Sequence, residues 1–127
     1  MTIVVAYADT APGHAAVEAA LDTPAAEGEP LVLVPAVRGE PVPDVAALVA
    51  RWPRLAGRAE VARGDLGDPS DAVVQVAQRR GARLVVLGLR HRSPVGKMVF
   101  GSTAQRILLD ATCPVLAVKP PPEAREA

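Results

Sequence analysis

At 127 residues the chain is long enough for one domain with a single hydrophobic core, and no second domain is needed. Half of the residues are hydrophobic but only 2% are aromatic. The core must therefore come from Val, Leu, Ala and Ile, a composition suited to thin helices on a parallel sheet. Lys plus Arg equals Asp plus Glu at 14 each, a formal net charge of zero, which leaves no overall field to draw nucleic acid or an anionic membrane; any basic site has to be local.

The first residues, MTIVVAYADTAPG, lack a basic leader and meet Asp9 after a short apolar run, so they read as neither a signal peptide nor a membrane span. Ile3 to Tyr7 is a β-branched run expected to form a central strand buried on both faces. Asp9 or Thr10 can cap the next helix, Pro12 suits its first turn, and Ala15, Ala16, Ala19 and Ala20 give it a small-residue face against the sheet. A second strand is expected from Leu31 to about Val37, with Pro35 near its end. After a Pro-rich connection from Gly39 to Pro43, Asp44 caps a helix whose Val45, Leu48 and Val49 share a face, and Trp52-Pro53 ends it with Trp52 as a buried anchor.

Arg58 to Arg63 alternates charged and small apolar residues, as a half-exposed edge strand does. Asp68-Pro69-Ser70-Asp71 is a strong helix start, followed by a buried stripe of Ala72, Val73, Val76 and Ala77 and closed by Arg79-Arg80-Gly81. Leu84 to Leu87 is the fourth strand. A loop with Arg90, His91, Arg92 and Lys97 leads to Gly101-Ser102-Thr103 and a last helix through Ala111, with Ile107, Leu108 and Ala111 expected inward. Pro114 to Lys119 is the fifth strand, and the tail over 120–127 is too polar and Pro-rich to belong to the domain, which is placed at 1–119. The single Cys113 excludes an intramolecular disulfide and a cysteine-rich metal site, reads as a small packing residue, and fits a reducing cytoplasm.

Strands alternating with helices predict an α/β domain: an open five-stranded parallel sheet with right-handed crossovers and helices on both faces. In such sheets a ligand binds beyond the carboxyl ends of the strands, where their order reverses. The loops after Tyr7 and Leu87 are expected to face one crevice there. A helix opening on Gly101-Ser102-Thr103 offers unpaired N–H groups and the positive end of its dipole to an anion, and Arg90, His91, Arg92 and Lys97 add positive charge. Ser102 capping its own helix is the alternative use of those groups.

The glycine spacing fits neither the Rossmann fingerprint nor the Walker A loop. Gly88, the pair Leu89-Arg90, His91, the nine residues Arg92 to Phe100 and then Gly101-Ser102 resemble the nucleotide signature of the universal stress protein family. IVVAY, GDPSDAVVQVAQRRGARLVVLG and CPVLAVK extend the resemblance over most of the chain. It implies a Rossmann-like sandwich with strand order 3-2-1-4-5 and a homodimer formed through the Pro114 to Lys119 strand. It also implies phosphate and ribose contacts at Gly88, Gly101, Ser102 and Thr103, and an adenine contact on the backbone near Ala36. The ligand would be ATP or another adenine nucleotide, with Mg only as its counter-ion.

Two positions depart from the family pattern. Ala8 stands where ATP-binding members usually carry an Asp that accepts ribose hydroxyls, and His91 replaces the second Gly. A non-Gly residue there costs about 1–2 kcal/mol if the backbone must be left-handed. Two readings follow: a cytoplasmic regulatory protein that binds an adenine nucleotide without efficient catalysis, and a dimeric interaction module of the same fold that has lost the nucleotide. Neither nucleic acid nor membrane is an expected partner. Ser102 has no evident base for nucleophilic catalysis, and no catalytic constellation is visible, although weak ATP hydrolysis stays open. His14 is expected to face solvent and, without partners, to bind no metal.

Overall fold

The computed structural model describes residues 2–23, 29–64, 67–90 and 101–120. Five parallel strands, β1 (Thr2–Tyr7), β2 (Leu31–Pro35), β3 (Ala59–Val61), β4 (Ala82–Gly88) and β5 (Val115–Val118), form one sheet in the order β3-β2-β1-β4-β5. Four α-helices connect them: α1 (Ala11–Asp22), α2 (Val45–Arg51), α3 (Pro69–Arg79) and α4 (Ser102–Asp110). The expected fold class and strand order are those observed.

Alternation along the central strand divides the core between the two faces. Ile3, Val5 and Tyr7 of β1 pack with Val17, Leu21, Leu48, Trp52 and Leu55 on the α1 and α2 side. Val4 and Ala6 pack with Val73, Val76, Leu87 and Ile107 on the α3 and α4 side. A parallel strand covered on both faces has no polar side to show, which is why β1 is buried from end to end and apolar from Ile3 to Ala6.

Capping follows the sequence closely for three helices. The Thr10 hydroxyl accepts from the Gly13 N–H at 3.4 Å, the Asp44 carboxylate from Ala46 at 3.1 Å, and the Asp68 carboxylate from Ser70 at 2.9 Å. Strand β2 stops at Pro35, short of the expected Val37. The Ala36 N–H turns toward β1 and donates to Tyr7 O at 2.8 Å, so the neighbouring Pro35 nitrogen faces β3, which has already ended at Val61. The missing proline donor costs no ladder bond there.

Three packing expectations fail. Val45 is 38% exposed and only Leu48 of α2 is fully buried, because the helix makes two turns and presents a single row to the sheet. Leu108 is also 38% exposed: α4 buries Ala104 and Ile107, and Leu108 lies to one side of that row. His14 is not solvent-facing; its side chain is 21% exposed and lies between aromatic rings. Of the tail placed at 120–127, Pro120 is buried against the domain, which corrects that boundary, and residues 121–127 lie outside the described residues.

Candidate functional site

The strand order reverses between β1 and β4. From β1 the chain turns into α1 on one face of the sheet, whereas α4, which follows β4, packs on the other. Of the loop after β4, residues 91–100 lie outside the described residues. In open parallel sheets such a reversal, beyond the carboxyl ends of the strands, is where a crevice lies.

Two glycines let the backbone close one wall of it. A Cβ at Gly88 would fall 1.9 Å from the Pro12 carbonyl oxygen, so the start of α1 lies directly on the end of β4. A Cβ at Gly13 would fall 1.9 Å from the Ala8 carbonyl oxygen. Gly13 was missed in the sequence, where only its place beside Pro12 in a first helical turn marked it. The buried Ala8 is thus held between the end of β1 and the first turn of α1.

The opposite wall is the start of α4. Gly101 is its N-cap residue with φ 78° and ψ 154°, a backbone conformation open essentially to glycine alone, and no side-chain hydrogen bond caps the helix among the described residues. Ser102 is therefore the first helical residue and not the cap, which corrects the capping alternative. The first intrahelical bond runs from the Gln105 N–H to the Gly101 carbonyl at 3.1 Å. The N–H groups of Ser102, Thr103 and Ala104 precede that bond. Side chains cap α1, α2 and α3. The Arg90 side chain lies against Gly101, its Nε 3.2 Å from where a Cβ on Gly101 would be. This places a guanidinium at the same helix end. His91, Arg92 and Lys97 lie outside the described residues.

Beyond the end of β2 lies a cleft of about 210 Å³, lined by Val34, Arg38, Glu40, Arg63, Pro69 and Ala72 among others. Ala36, the residue after β2, has its N–H engaged by the Tyr7 carbonyl, which leaves its own carbonyl as the remaining backbone group. From the turn that follows, Glu40 reaches back to the loop after β1: its Oε1 accepts the Asp9 N–H at 2.7 Å. Its other oxygen, Oε2, is buried without a hydrogen-bond partner among the described residues. Nothing in the sequence marked Glu40, which sits in a Pro-rich connection 31 residues from its partner.

The Asp9 carboxylate is committed elsewhere. It pairs with His14 Nε2 at 2.8 Å, and Arg51 Nη2 lies 3.2 Å from His14 Nδ1. Because an arginine only donates, Nδ1 is the accepting nitrogen and Nε2 carries the proton toward Asp9. Trp52 meets the His14 ring edge to face at 5.4 Å between centroids, and the Arg51 guanidinium stacks on Trp52 at 4.8 Å. Burial chiefly, and then the charges of Asp9 and Glu40, push the Tyr7 phenol above its ordinary pKa, against a smaller opposing pull from Arg51. Tyr7 is accordingly a neutral donor.

No cluster of three or more metal-ligating side chains occurs among the described residues. Cys113 is half-buried and free, and burial pushes its thiol pKa up, away from a reactive thiolate. No helix among the described residues is long and apolar enough to cross a membrane.

A parallel α/β sandwich whose strand order reverses between β1 and β4, with a helix opening on Gly101 after β4, belongs to the nucleotide-binding class of open-sheet folds. The model of the universal stress protein family matches residues 1–119, and the chain belongs to that family. A universal stress protein of Mycolicibacterium smegmatis is 49% identical over 53 residues, a stretch that is 42% of this chain and 41% of that protein. The match thus spans about two fifths of that relative's length. The solved structure of a universal stress protein from Archaeoglobus fulgidus superposes with a TM-score of 0.68 at 26% identity, covering 93% of this chain and 97% of that one. Another, of the universal stress protein from the same organism in complex with dAMP, has a TM-score of 0.61 at 23% identity, with coverage of 93% and 96%. At that identity the likeness concerns the fold.

Proposed function

We propose that this protein is a cytoplasmic regulatory protein that binds ATP or a related adenine nucleotide in the crevice between the loops after β1 and β4, without efficient turnover. The observation that carries the reading is the start of α4: a glycine-only backbone at Gly101 presents the N–H groups of Ser102 and Thr103 with no side-chain cap among the described residues, and Arg90 lies against the same glycine. These groups, with Gly88, would hold the phosphates. The Ala36 carbonyl would accept the adenine amino group, and Ala8 would line the sugar side. Nucleotide binding is a general feature of the family, as the dAMP complex of the Archaeoglobus fulgidus relative illustrates.

The cradle fits a polyphosphate chemically. Backbone N–H groups and a guanidinium are donors only, and no carboxylate lies in the described part of the α4 start. Mg would enter as the counter-ion of the phosphates. Calorimetric titration of the purified protein with ATP, ADP, AMP and cyclic AMP tests the reading. Saturable heat at up to millimolar ligand is expected for at least one of them; no heat with any, on protein shown to be folded, refutes it.

We also propose that the chain forms a homodimer through β5. Leu116 of this edge strand is 40% exposed and Leu109 of the adjoining helix 75% exposed. Pairing across a two-fold axis would satisfy the open edge and cover both side chains.

A further inference from the structure

The unpartnered oxygen of Glu40 assigns this residue a part in ligand selection. The turn from Val37 to Glu40 is closed by the Glu40 N–H donating to Val37 O at 3.3 Å, with Gly39 at φ 81°. The carboxylate it delivers is fixed at one end only, by the Asp9 N–H on Oε1. Oε2 is withdrawn from solvent and accepts no hydrogen bond among the described residues. A carboxylate oxygen in that condition is costly unless a donor arrives. The basic groups closest in the chain do not supply one: Arg38 on the same turn points to Asp68 at 4.0 Å, and Arg51 is engaged by His14 and Trp52.

Glu40 also lines the 210 Å³ cleft and, through Asp9, touches the loop that borders the crevice. The missing donor therefore fits a group on a ligand. A phosphate cannot be that group, since it brings negative charge and only acceptors. A neutral hydroxyl can. Resting on the nucleotide reading above, we propose that Glu40 is a specificity-determining residue whose Oε2 accepts a hydrogen bond from a ribose hydroxyl of the bound nucleotide. The site is then polarised: an acceptor at the β1 and β2 end receives the sugar hydroxyl, and donors at the α4 end receive the phosphates. A nucleotide lacking both ribose hydroxyls would leave Oε2 buried and unpaired, and would bind more weakly for that reason.

The test compares whichever adenine nucleotide binds best with its 2′,3′-dideoxy counterpart, on the full chain and on the Glu40→Ala and Glu40→Gln variants, each checked for native circular dichroism. The unsubstituted protein should prefer the ribonucleotide by about tenfold to a hundredfold, the range of a hydrogen bond to a charged acceptor. Glu40→Ala should bind the two equally, and Glu40→Gln, which keeps an acceptor oxygen, should retain part of the preference. Equal binding by the unsubstituted protein, or a full preference surviving in Glu40→Ala, overturns the role of Glu40 and leaves the nucleotide site standing. If the unsubstituted protein binds neither nucleotide, the site reading itself fails and takes this assignment with it. Should Glu40→Ala not fold, Glu40→Gln decides alone: an undiminished preference there, with the amide in place of the charge, counts against the proposal.

Discussion

The carbonyl oxygen of Pro12 occupies the space in which any side chain at position 88 would begin, 1.9 Å from the site of a Cβ. Gly88 is in consequence a packing requirement of the fold before it is anything else. A Gly88→Ala substitution has to push the first turn of α1 off the end of β4, and is expected to destabilise the protein by about 1–3 kcal/mol, as overpacked sites do. Gly67→Ala is the control, since nothing lies within 4 Å of a Cβ there and its φ is not positive; it should fall within about 0.5 kcal/mol of the parent. Urea unfolding of the three proteins measures both values.

Gly101 presents the opposite case, in which space is available and the backbone is not. The nearest described atom to a Cβ there is Nε of the flexible Arg90 side chain, at 3.2 Å, but φ 78° with ψ 154° is a conformation that other residues avoid. Gly101→Ala is expected to cost about 1–3 kcal/mol or to redirect the start of α4. In either event nucleotide affinity should fall at least about tenfold by calorimetry, if the helix end holds the phosphates. Arg90→Ala should weaken nucleotides in proportion to their phosphate charge, with adenosine unaffected.

Asp68 offers a test by pH. Its pKa is held below the usual carboxylate range, first by the Ser70 hydroxyl and then by the Asp71 and Ser70 N–H groups and the Arg106 charge, with desolvation opposing. A depressed folded pKa stabilises the native state above the unfolded carboxylate pKa of about 3.9 and ceases to do so as pH falls through the folded value. The gap in unfolding temperature between the parent and Asp68→Asn should therefore be widest near neutral pH and shrink below pH ~4. A carboxylate titration followed by NMR should place Asp68 below the free aspartates.

The proposed homodimer predicts a solution mass. Leu116→Arg puts a charge on the exposed edge of β5 and should convert a dimer to a monomer in light scattering at micromolar concentration, with little loss of monomer stability because the position is already 40% exposed. A parent protein that is monomeric under the same conditions refutes the dimer.

Much of this architecture was legible in the sequence because it rests on local signals. Ile3 to Tyr7 and Leu84 to Leu87 announce buried parallel strands by composition, and Asp68-Pro69 announces a helix by chemistry that acts within one turn. The glycines of the cradle were legible too, but as a spacing. Their reasons were not: the contact of Gly88 with Pro12 and of Gly13 with Ala8 exists only once α1 has folded back over the sheet. Glu40 was missed and His14 misjudged for the same cause. Each takes its meaning from partners on other elements, Asp9 for the first and Arg51 with Trp52 for the second, and no property of the surrounding sequence marks such a pairing. Leu108 shows a narrower limit, since a helix of nine residues has too few turns for periodicity to separate the buried row from its neighbour.

The two edges of the sheet are unequal, and this bears on how far association can run. Strand β3 is three residues long, and its Glu60 is held by Arg80, the C-cap residue of α3, with Nη2 2.6 Å from Oε1, which places an ion pair at that edge. An incoming strand would find a short template there and would have to disturb that pair. Only β5 is left as a receptive edge, and a surface that pairs with its own symmetry mate is used up when two copies meet. In the proposed homodimer growth would then have no second end from which to continue, and a finite particle, not a fibre, would result.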